Sequence, residues 1–141
     1  MKHTYHTKVI QDLWSVSALV SKQLDNSLGA LHGINLTEYM VLTRLQAAPN
    51  QVMRRVDLAE AVGRTASSIT KMLSPMEKVG LVEKEVNARD ARVSLVKLTD
   101  AGQTIARDAE HTVTQKSEQL LNRLDHTQIK NLAALLKTLL T

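Results

Sequence analysis

A chain of 141 residues without a cysteine is long enough to bury the core of one domain, and it excludes disulfides, thiolate metal sites and cysteine redox switches. No stretch is apolar over the length of a membrane span, and the first residues lack the apolar core of a signal peptide, so we expect a cytoplasmic protein. Positive charge is concentrated in residues 44–97, which hold ten Lys or Arg against six acids, whereas the rest of the chain holds eight of each. Such a segment is typical of a surface that faces a polyanion, although a surplus of four could also arise by chance.

A long first helix is predicted from Lys8 to Leu31. Apolar and small residues recur there at alternating steps of three and four, as in the seam of a coiled coil. The seam packs either within its own domain or against a second copy of the chain, and the pattern alone does not distinguish the two. Its members are Ile10, Leu13, Ser17, Val20, Leu24, Ser27 and Leu31.

A second helix is predicted to begin at Thr37, which is a good capping residue. Leu36 and Val41 are placed on either side of this cap as a hydrophobic staple. The run Ala48-Pro49-Asn50 ends the helix. We expect this helix to support the elements that follow it.

A helix-turn-helix pattern follows from Arg55 to about Val79. Its first helix covers residues 55–62 and ends at Gly63, which can adopt the left-handed conformation that ends helices. Thr65 then caps a second helix. Two helices joined by a short glycine turn form a helix-turn-helix. The buried side of the second helix is predicted to consist of Ile69, Met72, Leu73 and Met76.

The other side of this second helix carries short hydroxyls and one cation in place of the usual Glu and Lys pairs. A small polar side fits a helix that approaches a negatively charged surface closely, with an ordinary solvated surface as the alternative. Pro75 removes a hydrogen bond to the carbonyl of Lys71 and is expected to bend or loosen the helix, so its first half is the better candidate for contact. The residues on this side are Ser67, Ser68, Thr70, Lys71 and Ser74.

After Gly80 the apolar period changes from 3.6 to 2, which predicts a strand from Val82 to Val86. A return strand, residues 93–98, follows a loop that is too long for a two-residue turn and carries Arg89 and Arg92. The two strands form a hairpin, here called the wing. The alternative for its two arginines is a mobile basic loop tip.

Two helices complete the chain. The first starts at Thr99 and Asp100, and the last opens with Asp125 and Gln128 in capping-box spacing. A lone helix cannot bury the apolar stripe of the last one, so we expect a homodimer in which both chain ends meet a second copy. A monomer whose terminal helices bury each other is the alternative. The stripe consists of Ile129, Leu132, Leu135, Leu136, Leu139 and Leu140.

The predicted fold is mainly α with a small β-hairpin wing, in a single domain. A winged helix-turn-helix lobe occupies residues 35–99, and residues 1–34 and 100–141 supply dimerisation helices. With only two Tyr, one Trp and no Phe, the chain lacks the row of rings on which single-stranded bases stack, so duplex DNA is the expected polyanion. No catalytic motif is present, so we predict no enzyme and no cofactor. The histidines could indicate a metal sensor, but His32, His111 and His126 show no partnering Cys or carboxylate pattern, so no metal site is predicted. A winged helix used as a protein-interaction module is the alternative, which needs neither a basic helix face nor a basic wing.

Four runs occur in order along the chain: Leu58-Ala-Glu, Glu77-Lys-Val-Gly-Leu-Val82, Arg89-Asp-Ala-Arg92 and Val96-Lys-Leu-Thr-Asp-Ala-Gly102. Together they resemble the MarR family of bacterial transcriptional regulators, over essentially the whole chain. The most specific part is the Asp-x-Arg of the wing followed by Leu-Thr-x-x-Gly.

The resemblance implies an obligate homodimer that binds a pseudo-palindromic duplex operator, with a recognition helix in the major groove and a wing arginine in the minor groove. By position, Arg92 resembles that arginine and Asp90 the carboxylate that orients it. A repressor released by a small-molecule effector is also implied; Trp14 and Met40 could line an effector pocket or be plain core. Arg54, Arg55 and Arg64 are expected to contact phosphates. The candidate DNA-binding residues are Arg54, Arg64, Thr65, Ser67, Ser68, Thr70, Lys71, Arg89, Asp90 and Arg92.

Overall fold

The structure, a computed structural model, describes residues 2–141, with side chains from Tyr5 onward. A 3-10 turn at Pro49–Gln51 joins the second helix to the first strand. Among the described residues, none of the helices combines the length and the apolar character needed to cross a membrane. The mainly α fold with a β wing is confirmed. In chain order the elements are α1 (Lys2–His32), α2 (Leu36–Ala47), β1 (Val52–Arg54), α3 (Arg55–Ala61), α4 (Ala66–Lys78), β2 (Val82–Val86), β3 (Ser94–Leu98), α5 (Asp100–Leu120) and α6 (His126–Leu140).

The start of α2 differs from the prediction, because Asn35 and not Thr37 is its N-cap. The Oδ1 of Asn35 accepts the backbone N–H of Glu38 at 2.8 Å, and the Oε1 of Glu38 accepts the backbone N–H of Asn35 at 2.9 Å. Asn35 is favoured because Glu38 stands three residues later and closes a capping box with it. Asp25 of α1 accepts the backbone N–H of Leu36 at 2.7 Å, so α1 fixes where α2 begins.

The helices α3 and α4 form the predicted helix-turn-helix. Gly63 has a φ of 68°, the left-handed conformation that the turn requires. The Oγ1 of Thr65 accepts the backbone N–H of Ser68 at 3.0 Å, which confirms Thr65 as the cap of α4. The helix continues through Pro75 as far as Lys78. Its fully buried residues are Ile69, Leu73 and Met76.

The wing belongs to a sheet of three antiparallel strands in the order β1-β3-β2. The hairpin is paired from Val82 and Leu98 at its base to Val86 and Ser94 at its outer end, so the return strand begins one residue later than predicted. Strand β1 was not predicted. It has three residues, which is too short for an alternating pattern to appear.

The start of α5 packs tightly against the turn that precedes β2. The Oγ1 of Thr99 accepts the backbone N–H of Gly102 at 3.0 Å and donates to the carbonyl of Gly80. A Cβ added at Gly102 would overlap the carbonyl oxygen of Leu81 and lie 2.7 Å from Cδ1 of Leu98. Gly102 is therefore needed for this close approach.

Helix α1 contributes to the core only through its C-terminal half. Leu24 is 4 % exposed and Leu28 is completely buried, whereas Ile10 and Leu31 of the predicted seam are 66 % and 69 % exposed. Leu28 lies outside the predicted seam. The seam is thus only partly covered within one chain.

Candidate nucleic-acid interface

The first half of α4 presents a small, polar and largely exposed surface. Ser67, Thr70 and Lys71 are exposed, while Ser68, whose backbone N–H donates to the capping Oγ1 of Thr65, is half-buried. The first backbone N–H groups of α4 point out of the helix, so its N-terminus adds partial positive charge. Short side chains on a cationic helix end allow close approach to a phosphate backbone and to base edges.

The three arginines expected to contact phosphates differ in their availability. The side chain of Arg54 is 56 % exposed, and its guanidinium binds Asp57 through two hydrogen bonds, at 2.8 Å from Nε and 3.0 Å from Nη2. These bonds raise the pKa of Arg54 and hold the pKa of Asp57 below its usual value. Arg64 is exposed and donates from Nη2 to Oγ1 of Thr37 at 2.9 Å. Both could reach a phosphate at the edge of the helix-turn-helix.

Arg55 departs from this expectation. Its side chain is only 16 % exposed, and it is engaged by other parts of the protein. Its Nε donates to Oγ of Ser94 at 3.1 Å, and its Nη2 donates to Oε1 of Glu77 at 3.5 Å. These partners lie 39 and 22 positions away along the chain, so no local sequence pattern could have revealed them.

The loop of the wing holds Arg92 in a fixed direction. The Oδ1 of Asp90 accepts Nε of Arg92 at 3.1 Å and its backbone N–H at 3.0 Å, and the Oδ2 accepts Nη2 at 3.3 Å. These bonds from Arg92 lower the pKa of Asp90. Asn87 supports the loop by accepting the backbone N–H of Arg89 at 2.8 Å. Because the Arg92 side chain is 90 % exposed, its charge is presented to solvent and oriented at the same time.

An open cleft of about 330 Å³ separates the start of α4 from the loop and outer end of the wing. Ala66 of α4 lines one side, and Arg92 and Ser94 line the other. Arg54 and Arg55 also line it. The cleft therefore lies between the first residue of α4 and the predicted wing arginine, and three arginines line it.

Two further expectations concern metal and effector sites. No cluster of three or more His, Cys, Asp or Glu suited to a metal ion occurs among the described residues. Trp14 is 78 % exposed on α1 and so is not a core residue, whereas Met40 is half-buried and packs against the core.

Residues 34–94 match the family model of the MarR family. Among curated proteins, the transcriptional repressor MprA of Escherichia coli K12 is 28% identical over 123 residues, which are 86% of this chain and 70% of the repressor. The segment that matches the family model, residues 34–94, includes α3, α4 and the loop of the wing, where the candidate residues lie.

Solved structures resemble the chain over almost its full length. Sco3205 of Streptomyces coelicolor, a MarR family transcriptional regulator in complex with DNA, superposes with a TM-score of 0.87 at 24% identity and covers 96% of this chain and 86% of its own. A mutant of MarR from E. coli complexed with operator DNA has a TM-score of 0.85 at 25% identity, covering 95% and 94%. The shared fold thus includes the terminal helices as well as the winged lobe.

Proposed function

We propose that this chain, which folds as a winged helix-turn-helix protein and whose residues 34–94 match the MarR family model, is a member of that family and regulates transcription by binding duplex DNA as a homodimer. One observation carries this proposal: Ala66 at the start of α4 and Arg92, whose guanidinium is oriented by Asp90, line the same cleft together with Arg54 and Arg55. The DNA in the complexes of Sco3205 and E. coli MarR supports the same assignment.

Each element has its own task in this proposal. The first half of α4 enters the major groove, where Ser67, Thr70 and Lys71 meet base edges and nearby phosphates. Arg92 enters the minor groove, whose narrow form concentrates negative potential. Arg54 and Arg64 bind phosphates, which position the protein without reading sequence.

A homodimer is proposed because one chain leaves large apolar side chains uncovered on α1 and α6. On α6, Leu139 and Leu140 are 70 % and 86 % exposed. Contiguous apolar surface of this kind marks an interface. A second copy would cover it and place two lobes on half-sites whose centres lie roughly 34–36 Å apart, one turn of the duplex. The exposed apolar residues of α1 are Tyr5, Val9, Ile10, Trp14, Val16, Leu19 and Leu31.

Repression is the proposed outcome of binding, supported by the name of the repressor MprA. A small molecule bound between a lobe and the dimerisation helices would shift the population towards a lobe separation that no longer fits the operator. We place this activity in the cytoplasm. The competing function is a protein-interaction module, which does not need an oriented wing arginine whose side chain is 90 % exposed.

A gel-shift titration tests the proposal. The probes are duplex fragments that flank the gene of this protein, and their separated strands serve as the control. We expect a specific duplex to bind with a dissociation constant on the order of 10⁻⁸ M or below at physiological salt, and affinity to fall as salt rises. Absence of duplex binding even at low salt, or equal binding of the single strands, would contradict the proposal.

A further inference from the structure

Beyond the residues that touch DNA in this scheme, we infer that Arg55 is a positioning residue. It fixes the wing relative to α4 by binding Glu77 and Ser94, and the affinity for duplex DNA depends on these contacts although Arg55 does not itself bind a phosphate. This inference rests on the proposed function and concerns the contacts that set the distance between α4 and the wing, the two elements proposed to contact DNA.

Burial separates Arg55 from the other arginines of the lobe. The side chain of Arg55 is 16 % exposed, against 56 % for Arg54 and 90 % for Arg92. Its acidic partner Glu77 is also mostly covered, with a side-chain exposure of 24 %. Although Arg55 borders the cleft, its side chain is mostly covered and two of its donors are bonded to Ser94 and Glu77, whereas a phosphate ligand needs its donors in solvent.

The contacts of Arg55 join three elements. Arg55 is the first residue of α3, Glu77 lies in the last turn of α4, and Ser94 is the first residue of β3. The planar guanidinium donates in two directions at once, to Oγ of Ser94 and to Oε1 of Glu77. Because its fork is rigid, it sets the direction of one acceptor relative to the other.

Because of where Ser94 lies, its contact with Arg55 affects the placement of Arg92. Ser94 pairs with Val86 at the outer end of the hairpin. Arg92 lies in the adjoining loop, two residues before Ser94 in the chain. A displacement of Ser94 therefore moves the loop that carries Arg92. The contact of Arg55 with Glu77 ties the same point to the helix proposed to enter the major groove, so it sets the spacing between the two groove contacts.

The direction in which one substitution changes the affinity for DNA distinguishes this role from direct phosphate binding. If Arg55 bound a phosphate, loss of Glu77 would release its guanidinium and remove a nearby negative charge, and DNA would bind more tightly. If Arg55 positions the wing, loss of Glu77 lets its guanidinium turn away from Ser94, and DNA binds more weakly. Glu77→Ala therefore gives opposite results under the two roles.

The experiment measures affinity for a duplex that the wild-type protein binds. We expect Glu77→Ala to weaken binding by about fivefold or more, but by less than about twofold when Arg92→Ala is already present, since coupled residues are not additive. The slope of affinity against salt should stay unchanged, because no phosphate contact is lost. Arg107→Ala, which removes an exposed cation from α5, serves as the control and should leave affinity within about twofold of wild type.

Ser94→Ala is the second variant, since Ser94 is exposed and its hydroxyl can be removed without opening the core. It should also weaken binding and should also be coupled to Arg92→Ala. Tighter or unchanged binding by either folded variant, or a loss that is independent of Arg92, would overturn the inference.

If the wild-type protein bound no duplex, the proposed function would fail, and the positioning role would still be measurable without DNA. Amide hydrogen exchange in residues 87–94 should be faster in Glu77→Ala and Ser94→Ala than in wild type and Arg107→Ala. Equal exchange in all four proteins would overturn the positioning role by itself.

Discussion

Arg92 is almost fully exposed, yet three hydrogen bonds to the carboxylate of Asp90 fix its direction. An exposed ion pair of this kind adds little to the stability of the fold. In the proposed function this pair contributes to binding instead, because a side chain that is already oriented loses less entropy when it enters a groove. Arg89, in the same loop, is also exposed, but its side chain has no such carboxylate two residues before it.

Arg92→Ala is therefore expected to weaken binding of the operator by about tenfold or more, while the dimer persists. Arg107→Ala removes the same charge from α5 and is the matched control. Gel-shift titration measures the affinity and sedimentation measures the assembly. Unchanged affinity of Arg92→Ala would remove the wing from the mechanism.

Asp90 supplies a prediction about pH. The side-chain hydrogen bond from Arg92, and then the backbone N–H of Arg92, lower its pKa from the usual 3.8. A lowered pKa in the folded state means that this pairing supports the wing above pH 3.8 and is lost as the pH falls through the depressed value. The wing should therefore be insensitive to pH near neutrality.

An NMR titration of the carboxyl carbon of Asp90 measures this directly. In Arg92→Ala the pKa should rise towards its usual value but not reach it, because the backbone N–H of residue 92 remains. The same titration curve in both proteins would show that Arg92 does not hold the carboxylate.

At the scale of elements, the junction between the wing and α5 depends on close backbone packing. Thr99 caps α5 and donates to the carbonyl of Gly80, while Gly102 lies against the carbonyl of Leu81. The same threonine and glycine thus close the hairpin and start the helix, which explains the Leu-Thr-x-x-Gly run. Together they orient the lobe with respect to α5.

Gly102→Ala should lower the free energy of unfolding by about 1–3 kcal/mol, because its methyl group overlaps atoms of Leu81 and Leu98. Gly29→Ala is the matched control. It lies in α1 with nothing within 4 Å of the added Cβ, so it should raise the free energy of unfolding by about 0.5–1 kcal/mol. Denaturant unfolding compares the two. A neutral Gly102→Ala would contradict the close approach.

The sequence predicted those elements whose signals are local. Thr65 capped α4 as expected, Gly63 took the left-handed conformation, and alternation marked the hairpin. The cap of α2 was misassigned because Asn35 and Thr37 are both capping residues, although the Glu38 that selects Asn35 was visible in the sequence. Strand β1 could not be predicted, because its three residues form a strand only through pairing with β3.

In the candidate site, too, contacts between residues close in sequence could be predicted, and contacts between distant residues could not. The contact between Asp90 and Arg92 spans two residues, so spacing and resemblance could anticipate it. The burial of Arg55 depends on Glu77 and Ser94, which only the folded chain brings together. Arginines that look equivalent in a sequence are therefore separated by tertiary contacts into those that face solvent and those that face the protein.

At the scale of the whole molecule, the terminal helices leave an apolar surface that one chain does not cover. Side chains near the start of α1 and Leu139 of α6 line one apolar groove. The most exposed aromatic of α1 is Trp14, at 78 %. A second copy of the same chain supplies an equally apolar face, as two-fold symmetry requires.

Leu139→Glu should therefore convert the dimer into a monomer at micromolar concentrations without unfolding the lobe, since Leu139 is 70 % exposed in a single chain. Ala134→Glu places the same charge on the other side of α6 and should leave the assembly unchanged. Analytical ultracentrifugation distinguishes the two. A Leu139→Glu protein that still sedimented as a dimer would exclude this face as the interface.

Selection of duplexes from a randomised library by the purified protein tests most directly whether two lobes bind successive turns of DNA. The enriched sequences should contain an inverted repeat whose half-site centres are separated by about one helical turn, roughly 34–36 Å. Enrichment of a single unrepeated site, or no enrichment at all, would contradict a dimeric duplex-binding regulator.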